Sequence, residues 1–279
     1  MNKHPLIEFL GRHPEYRRLR EALLKNEGAA AVFGLGEAHR AHMAAALFCD
    51  TGKTVLLVTA NEASAARSRE EAAAYTPNAV HLPARDMPLA GRGVTASAGL
   101  AARRIRVLSG LLAGENALIT VSAAALLQRL APPGALRAMT VEVRAGDAAA
   151  PQALLKRLTG AGYERVDVCE AKGQVCLRGG YLDVFPITEE NPVRIEFFDD
   201  EIDTMRTYDA LSQRSIENID SIVVPPAHEM PVTETARARA LRALKRRPRL
   251  AAELETLSAG GTPAGAELFL PLFYDDAYL

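Results

Sequence analysis

The segment Gly34-Leu35-Gly36-Glu37-Ala38-His39-Arg40-Ala41 lies between a short apolar run and a helical stretch, where a phosphate-binding loop would sit. A working loop needs two glycines, a lysine and a hydroxyl residue in the spacing GxxxxGK[ST]. With Gly34 as the first glycine, the second is His39, the lysine is Arg40 and the hydroxyl residue is Ala41. These changes remove the close backbone approach to phosphate, the lysine that reaches the β and γ phosphates, and the oxygen that holds magnesium. Glu37 adds a carboxylate where phosphate would lie. The loop therefore reads as degenerate, and no cofactor and no catalytic residue are expected; a nucleotide-binding ATPase fragment is the competing reading. Gly52-Lys53-Thr54 imitates the end of the motif, but it precedes a β-branched run instead of opening a helix, and Leu47 occupies the required upstream glycine position.

The other reactive side chains suggest little chemistry. Cys49, Cys169 and Cys176 are odd in number and irregular in spacing, which fits neither a disulfide framework nor a zinc site and points to buried or idle thiols in a reducing cytoplasm. Asp199-Asp200-Glu201 with Asp203 could suggest a metal site, but no histidine or further ligand is near in sequence, and the group is expected to form a hairpin turn between Phe198 and Ile202. The arginines from Arg237 to Arg249, and Arg103, Arg104 and Arg106, read as solvated helix faces, with phosphate contact a minor alternative at the first group. His228 reads as a hydrogen-bonder at a domain boundary.

These residues need elements to position them. A chain of 279 residues, 48% hydrophobic and 24% charged, is ordinary globular material with room for two domains. Its net charge of -1 argues against wholesale binding of nucleic acid. The first twenty residues lack the apolar stretch of a signal peptide, and no run is long enough to span a bilayer. Strands are expected at 29–33, 54–59, 80–82 and 117–121, alternating with helices at 37–49, 62–75, 101–112 and 123–130, the last capped by Ser122. That alternation implies a mostly parallel, helix-covered sheet. After Pro132-Pro133-Gly134 the strands alternate in polarity and connect as hairpins, around one helix at 151–160 that would start on an acidic turn at Asp147. A basic helix and a Gly/Pro loop follow, and the apolar run Phe269–Tyr274 so close to Leu279 suggests a chain cut from something longer.

Between Tyr163 and Glu229 four ordered blocks resemble the second domain of bacterial transcription-repair coupling factors and, less closely, that of the excision protein UvrB: Arg178 to Pro186 (RGGYLDVFP), Arg194 to Asp203 (RIEFFDDEID), Ser212-Gln213-Arg214, and Pro225 to Glu229 (PPAHE). The resemblance implies an α/β fold: a helicase-like parallel-sheet domain with a degenerate phosphate loop over residues 1–138, an inserted α+β domain rich in antiparallel strands over 139–228, and the start of a further subdomain or a return to the first domain over 229–279. It implies a non-catalytic module that binds UvrA and recruits nucleotide excision repair to stalled RNA polymerase, with RNA polymerase and DNA as partners of family domains that have no counterpart in this sequence. UvrB inserts a tyrosine-rich hairpin at damaged DNA, and the stretch 88–99 here contains no aromatic residue.

By the same resemblance, Arg178, Arg194 and Phe198 match the positions that contact UvrA. Alternation along a strand puts Val193, Ile195 and Phe197 on a core face and Arg194, Glu196 and Phe198 on the other, so the fold should survive replacement of the latter. Likewise Gln174, Cys176 and Arg178 share a face that could bring Arg178 beside Arg194. The competing reading pairs Arg194 with Glu196 or a cross-strand acid and packs Phe198 beneath the following turn.

Overall fold

Small helix faces and β-branched strands suit one another, and in the first part of the chain they assemble into a parallel sheet. The computed structural model describes residues 3–85, 98–263 and 265–275 and divides into two units, Met1–Asp86 with Gly110–Gln128, and Met87–Ser109 with Arg129–Leu279.

In chain order, the first unit begins with helices α1 (Pro5–Leu10), α2 (Pro14–Leu24) and α3 (Glu37–Thr51), then strand β1 (Val55–Thr59), helix α4 (Glu62–Ala73) and strand β2 (Ala79–Leu82). Helix α5 (Ala98–Leu112) follows, most of it in the second unit; then come β3 (Leu118–Ser122) and α6 (Ala123–Leu126). The sheet order is β1-β3-β2, all parallel. The central strand β3 is buried throughout, as a strand flanked on both sides should be. Ala41, Ala44, Ala45 and Phe48 of α3 and Ala72 of α4 pack on Leu118, with Val55 and Leu57 beside them. Ser122 caps α6 by accepting a hydrogen bond from the Ala125 amide. The opposite face of the edge strand β1 leaves Leu56 and Val58 about half exposed, so cover on that face does not reach β1.

One expected strand does not form. Residues 29–33 have no ladder partner and lie exposed, with Phe33 at 89%. Three consecutive alanines supply neither β-branching nor area to bury, and β1, β2 and β3 take their ladder partners from one another.

The second unit continues with α7 (Pro133–Met139), β4 (Val141–Arg144), α8 (Pro151–Gly160), β5 (Glu164–Arg165), β6 (Gln174–Arg178), β7 (Tyr181–Val184), β8 (Val193–Phe198), β9 (Glu201–Tyr208), β10 (Ser215–Asn218) and β11 (Ser221–Val224). Strands β5 to β10 form one sheet in the order β10-β9-β8-β7-β6-β5, antiparallel except for β5 with β6, while β11 pairs with β4. Leu154, Leu155 and Leu158 of α8 and Val184, Val193, Ile195, Ile202 and Met205 of the sheet belong to one core. Asp147 does not cap α8, whose N-cap is Ala150; its carboxylate accepts from the Arg144 amide instead, closing the turn after β4. Helices α9 (Glu234–Leu244), α10 (Ala251–Ser258) and α11 (Leu270–Phe273) gather around a separate core that includes Ala240, Leu244, Leu257 and Phe273.

Two polar expectations also change. Arg104 is not solvated: its side chain is wholly buried and forms a two-pronged ion pair with Glu229. A guanidinium that deep needs a compensating carboxylate, and the last residue of the PPAHE block supplies it. His228 packs its ring against Gly162, which has φ 96° and leaves no room there for a Cβ.

Candidate functional site

Strand β7 separates β6 from β8, and its register aligns the polar face of the sheet in rows. Arg178, Tyr181, Glu196 and Thr204 stand abreast across β6 to β9, and one repeat along come Cys176, Asp183, Arg194 and Arg206. Arg178 and Arg194 therefore share a face without being neighbours, their backbones roughly 12 Å apart, two strand spacings across and one repeat along.

Arg194 is held on this face by several contacts. Its Nε donates to Asp183 Oδ1 at 2.7 Å and its Nη2 to Oδ2 at 2.8 Å. The guanidinium lies 4.4 Å from the Tyr181 ring centre and 4.8 Å from that of Tyr208, and Nη2 also donates to Gln213 Oε1 at 3.3 Å. The Asp183 carboxylate raises the Arg194 pKa, with burial working in the opposite direction. This is the cross-strand ion pair that competes with docking for Arg194, and it changes one expectation. Asp183 is buried, so Arg194 belongs partly to the fold and cannot be replaced without cost. The same fork also holds the guanidinium in one orientation at the surface, where it keeps 17% of its side-chain exposure.

Beside it, Glu196 accepts from Arg206 Nη2 at 2.7 Å and from Thr204 Oγ1 at 3.0 Å. These bonds hold its carboxyl below the usual range. Asp50 in the first unit is likewise held low: burial would raise it, but Lys3, Tyr16 and Arg20 outweigh that. A carboxyl depressed in the folded state stabilises the fold above its unfolded pKa and loses that contribution as pH falls through the folded value. Stability should therefore be flat near neutral pH and fall below about pH 4, measurable as denaturation midpoints from pH 7 to 3.

Phe198 ends β8, on the face of Arg194 and about 13 Å further along the strand. It is 74% exposed, so it does not pack beneath the following turn. That turn is the hairpin at Asp199-Asp200, with Asp199 at φ 52°, a conformation short polar side chains tolerate. Arg178 is also exposed. Sequence reading missed Leu211, 95% exposed in the turn between β9 and β10. Asp209 orders this turn by accepting from the Ser212 amide and hydroxyl, both at 2.7 Å. The signal was a leucine among Asp209, Ala210 and Ser212 with no alternating strand around it.

The thiols are placed for packing. Burial pushes Cys169 up to about 12, and Cys176 and Cys49 are also raised, burial being the main cause in each. Among the described residues, no three or more His, Cys, Asp or Glu side chains are grouped to hold a metal ion. No described helix is long and apolar enough to cross a membrane.

At the degenerate loop, Gly34 takes φ 82° and Gly36 forms the N-cap of α3 with no side-chain cap bond. Ala41 is wholly buried in the helix-sheet core, so that position faces away from any bound phosphate. His39 and Arg40 are exposed, and Glu37 pairs with Arg67 at 3.4 Å.

Residues 141–230, which contain the whole polar face, match the family model of the UvrB interaction domain. The matched stretch is about a third of the chain, and there the chain is similar to that family. Over 253 residues, 90% of its length, it is 30% identical to the transcription-repair-coupling factor of Bacillus subtilis, and over 229 residues, 80% of its length, 31% identical to that of Escherichia coli. A third relative, the transcription-repair-coupling factor of Mycobacterium bovis, is 35% identical over 173 residues. The chain spans about a fifth of the length of the first two, 21% and 20%. Within the matched residues lie Arg178, Arg194 and Phe198, and near their end the buried Glu229.

Proposed function

We propose that this chain is the UvrB-like module of a transcription-repair-coupling factor and that the polar face of its six-stranded sheet docks UvrA. The observation that carries this reading is Phe198, an aromatic ring three-quarters exposed at the end of a β-hairpin strand, on the same face as a guanidinium held by Asp183 and flanked by Tyr181 and Tyr208. Interface hot spots are enriched in such aromatic and arginine side chains, and pre-ordering reduces the entropy lost on binding. Arg178 contributes a second cation from β6, and Leu211 is an exposed apolar side chain in the turn whose Gln213 accepts from Arg194. The module occupies residues 139–228, between a helicase-like first domain over 1–138 and a further segment over 229–279. Through it UvrA, and with UvrA nucleotide excision repair, would be brought to stalled RNA polymerase in the cytoplasm. If UvrB uses a similar domain for the same surface, unlabelled UvrB should displace a fluorescently labelled copy of this chain from UvrA; simultaneous binding of both would contradict the reading.

In this reading the loop at Gly34 to Ala41 is a vestige of a nucleotide site. Neither magnesium-dependent binding of a fluorescent ATP analogue nor phosphate release above background is expected. Micromolar binding abolished by Arg40→Ala would overturn that.

A further inference from the structure

Four arginines line one groove at the C-terminal end of α9. Arg239 and Arg242, three residues apart, share one side of the helix, and Arg246 and Arg247 follow just past its end and line the same groove. With Ala243, Pro271 and Leu272 they enclose about 520 Å³. Arg239 is tied to Asp275, yet its buried Nε has no hydrogen-bond partner among the described residues. Arg242, Arg246 and Arg247 are exposed and form no ion pair with any described residue. The neighbouring Arg237 differs, since its guanidinium donates to the carbonyls of Leu257 and Gly261 and is built into the fold.

Packing does not account for the cluster. The carbonyl end of a helix amounts to about half a negative charge, too little for Arg242, Lys245, Arg246 and Arg247 together. A protein partner at a hot spot would be expected to find an aromatic anchor, and the groove wall supplies none. A single strand would find no ring on which to stack its bases. Arg239 and Arg242 lie about 4.5 Å apart in rise along α9, and Arg246 and Arg247 follow in the turn beyond Leu244, so the cluster is on the scale of a few phosphates of one duplex strand at about 3.4 Å each.

We propose that this groove holds the phosphate backbone of a nucleic-acid duplex, without reading its bases. The contact is local, so it is compatible with a net charge of -1, and it lies apart from the polar sheet face on α9.

The test is fluorescence anisotropy of the whole chain with a short undamaged DNA duplex across a range of salt. Weak binding is expected at low ionic strength, independent of sequence, with log K falling against log salt at a slope of about -3. Arg242→Glu with Arg246→Glu and Arg247→Glu should weaken binding at least tenfold, whereas reversing the exposed Arg12, Arg17 and Arg18, an equal change in net charge, should not. Neutralising only Arg242→Gln and Arg247→Gln, a milder change should the triple variant fold poorly, should flatten the slope by about two. The proposal fails if both triple variants lose binding equally, if neither does, or if polyglutamate binds through these arginines more tightly than the duplex.

Discussion

Replacing Glu229 with alanine should cost about 3–5 kcal/mol of folding stability, because it leaves the wholly buried Arg104 guanidinium without its carboxylate. For a protein whose total stability is of the usual order of about 5–15 kcal/mol, that is roughly a fifth of the margin at the least and all of it at the most. Guanidinium denaturation should show the midpoint falling with little change in slope. A loss below about 1 kcal/mol would show that the pair is not the brace described here. Replacing both partners at once, Arg104→Met with Glu229→Leu, should cost less than the single change, because no unpaired charge is then left in the interior.

The second large effect concerns the proposed docking face, where two side chains should behave differently. Phe198→Ala removes a ring that is mostly in solvent, so folding should be unaffected while UvrA binding weakens by about 2 kcal/mol or more, roughly thirtyfold. Arg194→Ala should lose affinity and also about 1.5–3 kcal/mol of stability, because Asp183 is left buried and unpaired. Arg194→Glu should be worse on both counts, since it sets a carboxylate against Asp183 and against the acidic partner surface that the arginine is expected to meet. Affinity losses at Arg194 must therefore be read beside thermal melts, whereas those at Phe198 stand alone.

The two faces of the sheet show what could be read from sequence. Strict alternation in β8 separated Val193 and Ile195 from Arg194 and Glu196, and the core obeys it. The period of a strand does not say which neighbours cross it, so Asp183 as the partner of Arg194 emerged only once β7 was placed beside β8. Arg104 looked solvated because helical arginines usually are, and its carboxylate lies 125 residues away. Leu211 was missed because it sits in a turn, where no periodicity applies. The run Ala29 to Phe33 was misread because apolar character alone does not make a strand without a ladder partner. Residues 88–97 of the stretch compared with the UvrB hairpin, and Leu279, lie outside the described residues.

Calorimetric titration of UvrA with the wild-type chain and with Phe198→Ala, accompanied by thermal melts of both, tests the docking reading most directly. The account predicts saturable binding by the wild type and a loss of about thirtyfold for Phe198→Ala at unchanged melting temperature. Wild-type affinity in a normally folded Phe198→Ala variant would contradict it and move the docking surface off this face.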